Sequence, residues 1–271
     1  MGKQIIGDKQ LKIFTVDAFT GEHFRGNPAA VCILLEERDA RWMQLVGREM
    51  NLSETAFLQK VKDVYALRWF TPLVESKLCG HATLASAHIL WEAGYEDVKD
   101  EIFFDTRSGR LSAIKKGDWI ELDFPAEPPE EVEPPEAILK ALGVKPLYTG
   151  KNRFDYIIEV ESGDTVRSIE PDFKLLSQAT ERGVIVTSIS DMKGYDFISR
   201  FFAPAVGIDE DPVTGSAHCC LGPYWSKRLG KSELTAYQAS ERGGVLRVGV
   251  GKERVRIGGM AITVIKGELL A

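Results

Sequence analysis

Four polar side chains are candidates for chemistry on a small molecule: Glu54, His81, Asp211 and Ser216. Glu54 lies two residues before an apolar alanine–phenylalanine pair, so its carboxyl is expected to be partly withdrawn from water. Loss of water raises the pKa of a carboxyl, and a raised pKa suits a group that takes and returns a proton. A solvated glutamate at the end of a strand is an equally open interpretation of the same pattern.

The other three candidates surround two predicted helix starts. His81 opens the first helix, where the positive end of the helix dipole disfavours the imidazolium form. It could be a neutral hydrogen-bonding group or a proton relay, or it could only cap or pack the helix. Asp211 precedes the second helix and could orient a ligand or a histidine, or form hydrogen bonds within its own loop. Ser216 lacks the G-x-S-x-G pattern of a hydrolase nucleophile.

The same helix starts are candidate anion sites. Residues 79–82 and 214–217 are small-residue loops, and the first N–H groups of a helix are unpaired and partly positive. A glycine lets the backbone approach a ligand closely, although each of these glycines could equally serve a tight turn. If both helices point into one cleft, we expect them to hold a carboxylate through Gly80, Ala82, Thr214 and Gly215.

The composition argues against several classes of protein. The chain has 271 residues, of which 44% are hydrophobic and 27% are charged, values typical of a globular protein. A net charge of −6 argues against nucleic acid as the main partner, because phosphate binding needs clustered basic residues. Residues 1–10 lack the apolar core of a leader, and no apolar run is long enough to cross a membrane. We therefore expect a cytoplasmic protein without membrane contact.

Metals and organic cofactors are not indicated either. The four cysteines include no CxxC pair, and His81 with His88 lacks a third ligand that would complete a metal site. The chain contains no P-loop, and no dinucleotide-binding glycine pattern follows a predicted strand. The sequence thus predicts a protein that uses neither a metal nor an organic cofactor.

The elements that must position these groups are short strands interrupted by a few helices. Helical spacing predicts helices over residues 81–91 and 216–229, and another over 41–50 precedes Glu54. A segment rich in proline and glutamate, 124–135, predicts an extended linker with a helix start at its end. Alternation and turn residues predict strands at 11–19, 30–35, 55–61, 64–70, 101–104, 109–114, 119–124, 154–160, 183–188 and 195–202, and three more between 244 and 265.

Two sequence matches in the same order indicate an internal duplication. Residues 68–72 resemble residues 200–204, and residues 79–82 resemble residues 214–217, which lie 132 and 135 positions later. Both matches lead into the helices that carry the candidate groups. We therefore predict an α+β protein of two similar domains, each a mostly antiparallel sheet rolled around one central helix. The predicted domains are residues 1–124, completed by a C-terminal strand in 260–271, and residues 125–259.

Taken together, the motifs resemble those of the PhzF-like family of phenazine biosynthesis. They are, in chain order, the segments 17–19, 26–31, 53–57, 78–83 and 211–217. They occur in order over most of the chain, and the combination is highly specific. The resemblance implies the diaminopimelate-epimerase fold, with the active site in the cleft between two similar domains. It also implies a homodimer and a reaction that needs no metal or organic cofactor.

The resemblance also implies roles for the four candidates. The acid/base glutamate of the family falls on Glu54, and its active-site histidine, aspartate and serine fall on His81, Asp211 and Ser216. In the phenazine enzyme the reaction is a proton shift that isomerises dihydro-hydroxyanthranilate. We therefore expect an isomerase that acts on a small anionic metabolite bearing a carboxylate, without a particular substrate being implied.

Two alternative functions follow from the same fold. Related epimerases and racemases use a pair of cysteines, of which Cys79 could occupy the first place while the second falls on Thr214 or on Pro212. Neither residue carries a thiol, and a threonine hydroxyl is far too weak an acid to replace one, so a two-thiol racemase is disfavoured. A catalytically silent binding protein or scaffold of the same fold is the other alternative.

Overall fold

The structure of the chain is a computed structural model that describes residues 11–270. Residues 1–10, on which the prediction of a missing leader depends, lie outside the described part, as does residue 271. Within the described part, no helix is both long enough and apolar enough to cross a membrane.

Two long, buried helices occupy the centre of the fold. Between residues 11 and 270 the α-helices are α1 (Ala40–Met50), α2 (Gly80–Glu92), α3 (Glu136–Leu142), α4 (Gly163–Ser168), α5 (Phe173–Ala179) and α6 (Gly215–Leu229). Helices α2 and α6 correspond to the two predicted site helices, and each begins one residue earlier than predicted. In α2, 11 of its 13 residues are buried, as expected for a helix that is apolar on all sides and enclosed by sheet.

Short strands surround these helices. Within residues 11–270 they are β1 (Leu11–Ala18), β2 (Asn27–Leu34), β3 (Glu54–Val61), β4 (Val64–Phe70), β5 (Glu75–Ser76), β6 (Ile102–Thr106), β7 (Gly109–Lys116), β8 (Trp119–Pro125), β9 (Glu130–Glu131), β10 (Tyr148–Lys151), β11 (Asp155–Glu159), β12 (Gly183–Ile189), β13 (Phe197–Ala203), β14 (Ile208–Glu210), β15 (Glu233–Gln238), β16 (Gly244–Val250), β17 (Arg254–Gly259) and β18 (Ala261–Leu269).

The strand pairings repeat the same pattern twice. One series runs β18-β1-β2-β3-β4-β6-β7-β8, and the other runs β9-β10-β11-β12-β13-β15-β16-β17. In both series the third and fifth pairings are parallel and the others are antiparallel. The two series join where β8 pairs with β17. This repetition agrees with the predicted duplication, and β18 pairs with the first series; the residue boundaries of the two domains stay a prediction.

Some elements differ from those predicted. The proline-rich segment is more than a linker, because β8 continues to Pro125 and β9 pairs with β10. Strands β10 and β15 and helices α4 and α5 were not predicted. The two helices have only 6 and 7 residues, which is too short for helical spacing to stand out from the surrounding pattern.

The starts of α2 and α6 touch at a pair of glycines. A Cβ atom added to Gly80 would lie 3.2 Å from Cα of Gly215, and one added to Gly215 would lie 3.3 Å from Cα of Gly80. Apolar side chains from both series and both helices form one continuous core beneath this contact. Glycine is favoured at both positions because a Cβ atom at either would press on the opposite backbone, which would have to yield by a few tenths of an ångström.

Replacing either glycine tests this contact. Gly80→Ala and Gly215→Ala should each lower the free energy of unfolding by about 1–3 kcal/mol, because the new methyl group must push two backbones apart. Gly267→Ala is the matched control, since its Cβ would meet only Ile13 Cγ2 at 4.0 Å. Urea unfolding followed by circular dichroism measures all three variants. Equal stability of the Gly80→Ala variant and the control would contradict the close contact.

Candidate active site

Both helix starts open onto one cavity of about 640 Å³ between the two series of strands. Seven of the eight predicted site residues line it, namely Glu54, Gly80, His81, Asp211, Thr214, Gly215 and Ser216. Ala82 is the exception: its side chain is fully buried and does not line the cavity, so only its backbone is available for a role there. The remaining walls include the apolar residues Leu111, Phe124, Phe154 and Phe201.

Glu54 is the first residue of β3, and its carboxyl faces the cavity. The side chain is only 12% exposed. Burial raises the pKa of Glu54 well above its usual value, and the nearby charge of Asp211 raises it further. The Ser76 hydroxyl donates a long hydrogen bond of 3.4 Å to Oε1, which opposes the shift without reversing it. The ionised carboxyl is therefore a stronger base than an ordinary glutamate.

His81, the second residue of α2, faces the same carboxyl as a neutral ring. Burial lowers the pKa of His81 to about 3, so the imidazole is uncharged at neutral pH. The amide nitrogen of Asn27 lies 3.1 Å from Nδ1, which must then accept, and the ring proton is assigned to Nε2. Nε2 lies 3.2 Å from Oε2 of Glu54, but the angle of this contact is not that of a hydrogen bond. Among residues 11–270, Nε2 therefore has no hydrogen-bond partner.

The amide of Asn27 joins the two halves of the site. Besides His81, it donates to Oδ1 of Asp211 at 2.7 Å and to the carbonyl of Val213 at 2.9 Å. Asn27 is fully buried at the start of β2, and an NH₂ group has two N–H bonds, so the three acceptors share them. Sequence reasoning assigned no role to Asn27, although it lies in the segment 26–31 of the family resemblance.

Asp211 is held by hydrogen bonds at both carboxyl oxygens. In addition to the Asn27 amide, the Thr214 hydroxyl donates to Oδ2 at 2.5 Å. Gln238, which is fully buried in the unpredicted strand β15, accepts from the Thr214 N–H and donates to the Asp211 carbonyl. Burial raises the pKa of Asp211 to about 6. Both oxygens are thus occupied within the protein, which suits a residue that positions others.

One set of side chains approaches metal-ligand geometry. Ligand atoms of Glu54, Cys79 and His81 all lie within 4.8 Å of one another. Burial raises the pKa of the Cys79 thiol as well as that of Glu54, so the protonated, uncharged forms of both are favoured. Protonated thiols and carboxyls are poor metal ligands, because binding requires loss of the proton. A bound metal ion would itself lower both pKa values through its charge, and a metal-free site stays a prediction.

Comparison with solved structures gives the class of fold. The structure of a predicted epimerase from Pseudomonas aeruginosa superimposes with a TM-score of 0.73 and covers 96% of this chain and 99% of that chain, at 21% identity. At this sequence identity, the structural similarity shows a shared fold and does not show a shared function. The protein thus has the α+β fold of the diaminopimelate-epimerase-like isomerases and epimerases, as the sequence predicted.

Closer relatives give the family. A PhzF-family phenazine biosynthesis protein of Enterococcus faecalis superimposes with a TM-score of 0.92 at 44% identity, covering 97% of this chain and 100% of that one. An uncharacterized isomerase of Halalkalibacterium halodurans is 57% identical over 259 residues, which are 95% of this chain and 98% of the relative. The model of the phenazine biosynthesis-like proteins matches residues 16–267. The chain belongs to this PhzF family, and isomerase function is supported at the level of the family.

Removing the Asn27 amide tests the link between the two halves. Asn27→Ala should lower the free energy of unfolding by about 2–3 kcal/mol, because it leaves buried acceptors on Asp211 and Val213 without a donor. Ser53→Ala is the control, since the Ser53 hydroxyl contacts the Asn27 side chain only through a 3.3 Å hydrogen bond and should cost less than about 1 kcal/mol. A cost for Asn27→Ala no greater than that of the control, measured by urea unfolding, would contradict the bridging role.

The raised pKa of Asp211 predicts a pH-dependent stability difference. Because the folded-state pKa of about 6 lies above the unfolded value, the contribution of Asp211 to stability is present at pH 4 and is lost as the pH rises through 6. The stability of Asp211→Asn relative to the native protein should therefore rise between pH 4 and pH 7, on the order of 1–3 kcal/mol. Urea unfolding of both proteins at each pH measures this difference. A difference that stays constant with pH would contradict the shift.

Proposed function

We propose that this protein is an isomerase that moves a proton within a small carboxylate-bearing metabolite, with Glu54 as the general acid/base and without a cofactor. The observation that carries the proposal is the Glu54 carboxyl itself, buried in the cavity beside a neutral His81 and with a raised pKa. A group that takes and returns a proton works best when its pKa lies near the operating pH, and burial moves Glu54 in that direction.

In the proposed binding mode, the carboxylate of the substrate lies between the starts of α2 and α6. Gly80 and Gly215 bring the free N–H groups of both helices to one point, and the two dipoles attract the same negative charge. The apolar walls then exclude water from the rest of the substrate. In this binding mode the reacting carbon would lie against Glu54, whose Oε2 is 3.2 Å from Nε2 of His81.

In the proposed proton transfer, ionised Glu54 removes a proton from one carbon and returns it to another position of the same molecule. The N–H at Nε2 of His81 donates a hydrogen bond to negative charge as it develops, a role that suits a neutral imidazole. Asp211 keeps the Asn27 amide in place, which in turn fixes the ring of His81. Asp211 is thus a positioning residue in this mechanism.

Two features argue for Glu54 rather than for a pair of thiols. The pKa of Cys79 is raised by burial and by the charge of Glu54, so the reactive thiolate is disfavoured. The corresponding place at the start of α6 holds Thr214, whose hydroxyl already donates to Asp211. A small anionic metabolite as partner, a homodimer and a cytoplasmic location stay predictions.

Deuterium incorporation tests the proposal. The native protein, incubated in heavy water with a panel of small carboxylates that includes dihydro-hydroxyanthranilate, should introduce deuterium into its substrate, as read by mass spectrometry. Glu54→Gln should lower the rate by about 10²–10⁴-fold, because the amide cannot exchange a proton with carbon. The control is Glu127→Gln, since Glu127 lines the same cavity but is paired with Arg153.

The outcomes separate catalysis from binding. A rate that survives Glu54→Gln would contradict the assignment of the acid/base group. Binding of a carboxylate by the native protein without any exchange would instead support a catalytically silent binding protein of the same fold.

A further inference from the structure

The second half of the fold has no counterpart of the catalytic carboxyl. Glu54 opens β3 and Gly183 opens β12, and each of these strands pairs in parallel with the strand before it in its series. A Cβ atom at Gly183 would lie 2.4 Å from Cζ of Phe201, so this position cannot hold an acidic side chain without a rearrangement. The cavity therefore has its proton-transferring group on one side only.

Arg182, the residue before Gly183, presents a cation to the cavity instead. Its Nη2 atom donates to Oγ of Ser216 at 2.6 Å, at the start of α6. The guanidinium also lies 5.2 Å from the ring centroid of Phe154 and 5.6 Å from that of Phe201. These contacts hold the side chain in place. It is 30% exposed, and it lines the cavity.

The buried carboxyl of Asp155 forms an ion pair with Arg182. Oδ2 of Asp155 lies 3.2 Å from Nη1, and the Asp155 side chain is completely buried. Neither of its oxygens has a hydrogen-bond partner of good geometry among residues 11–270. Burial raises the pKa of Asp155 to about 6, while the Arg182 guanidinium opposes the shift, so the carboxyl is mostly ionised at neutral pH and holds the guanidinium by charge.

The neighbouring Arg153 shows what an ordinary arginine does at this wall. It also lies over Phe154, at 4.3 Å from the ring centroid, and it also lines the cavity. Its Nη2 atom, however, is bound at 2.6 Å to Glu127, and its side chain is 64% exposed. The charge of Arg153 is thus neutralised by a partner close to solvent, whereas Arg182 contacts the helix start itself.

We propose that Arg182, acting beside Ser216, adds a guanidinium to the place between the two helix starts where the carboxylate of the substrate binds, and that Asp155 positions this guanidinium. Because Ser216 Oγ accepts from Arg182, its own proton is free to be donated to a ligand. A carboxylate at this place receives hydrogen bonds from the guanidinium, the hydroxyl and the free N–H groups of the helix start. The proposal rests on the proposed function only in that it takes this cavity to be the substrate site.

In this assignment the two halves of the fold have different roles. The first half carries the acid/base group and the neutral histidine, and the second half carries the charge that recognises the anion. The positive charge also lowers the pKa of Glu54 to some extent, against the effect of burial. Arg182 is therefore a determinant of specificity that selects ligands with a carboxylate over neutral ligands of the same shape.

A matched pair of fluorescent ligands tests the subsite without turnover. The probes are anthranilate and its neutral amide, anthranilamide, titrated into the native protein and into Arg182→Met, Arg182→Lys and Arg153→Met. Arg182→Met should weaken anthranilate binding by about 10–100-fold, the effect of losing a charged hydrogen bond, and should leave anthranilamide binding within about twofold. Arg182→Lys should show an intermediate loss, because it keeps the charge but not the planar fork.

A control and one further variant complete the design. Arg153→Met is the control and should leave the preference for anthranilate unchanged. The double variant Arg182→Met with Asp155→Asn removes both members of the ion pair, so it leaves no unpaired charge on the buried residue 155 if the single variant unfolds. It should show the same loss of preference. Retained binding of anthranilamide confirms that the cavity is intact in each case.

Three results would overturn the proposal. They are an equal loss of both ligands in the Arg182 variants, an equal effect of Arg153→Met, and a native protein that does not prefer anthranilate to its amide. The test is independent of the acid/base assignment, because Glu54→Gln should still bind anthranilate. If deuterium incorporation does not depend on Glu54 while the native protein still prefers anthranilate to anthranilamide, the catalytic role of Glu54 is rejected and the subsite is kept.

Discussion

The close contact between the starts of α2 and α6 is the constraint on which the rest of the site depends. Gly80 and Gly215 meet almost backbone to backbone, so both helix dipoles point at one small volume. Like dipole ends repel each other, and the contact is stabilised by the continuous apolar core that encloses both helices. An anion bound at this point would relieve the repulsion, which supports the proposal that the cavity takes a negatively charged ligand.

Burial has opposite effects on the two kinds of titratable group around this point. It raises the pKa values of Glu54 and Asp211 and lowers that of His81, so the neutral form of each is favoured. Because burial moves Glu54 towards its uncharged form and keeps His81 uncharged, these two groups repel an anion less than an ordinary carboxylate would, and Glu54 can still exchange a proton. Asn27 keeps this arrangement in place, because its single amide contacts His81 in one half and Asp211 in the other.

The sequence predicted those parts of the structure that depend on local patterns. Helices α2 and α6 are long and apolar, and the motifs at their starts are contiguous, so seven of the eight predicted site residues line one cavity. Asn27 was missed as a functional residue because it lies 54 positions from His81 and 184 from Asp211, distances over which no local pattern operates. Arg182 and Gln238 were missed for the same reason, since each resembles an ordinary polar residue beside or within a strand.

We propose that burial makes Glu54 a proton-transferring group, and a titration of this one carboxyl tests this role most directly. With ¹³C at the carboxyl carbons of glutamate, the signal absent from the spectrum of Glu54→Gln identifies residue 54, and its chemical shift can be followed with pH. The account predicts that this carboxyl titrates well above the usual glutamate value of about 4.3. A midpoint at or below that value would show an ordinary solvated carboxylate and would contradict the account.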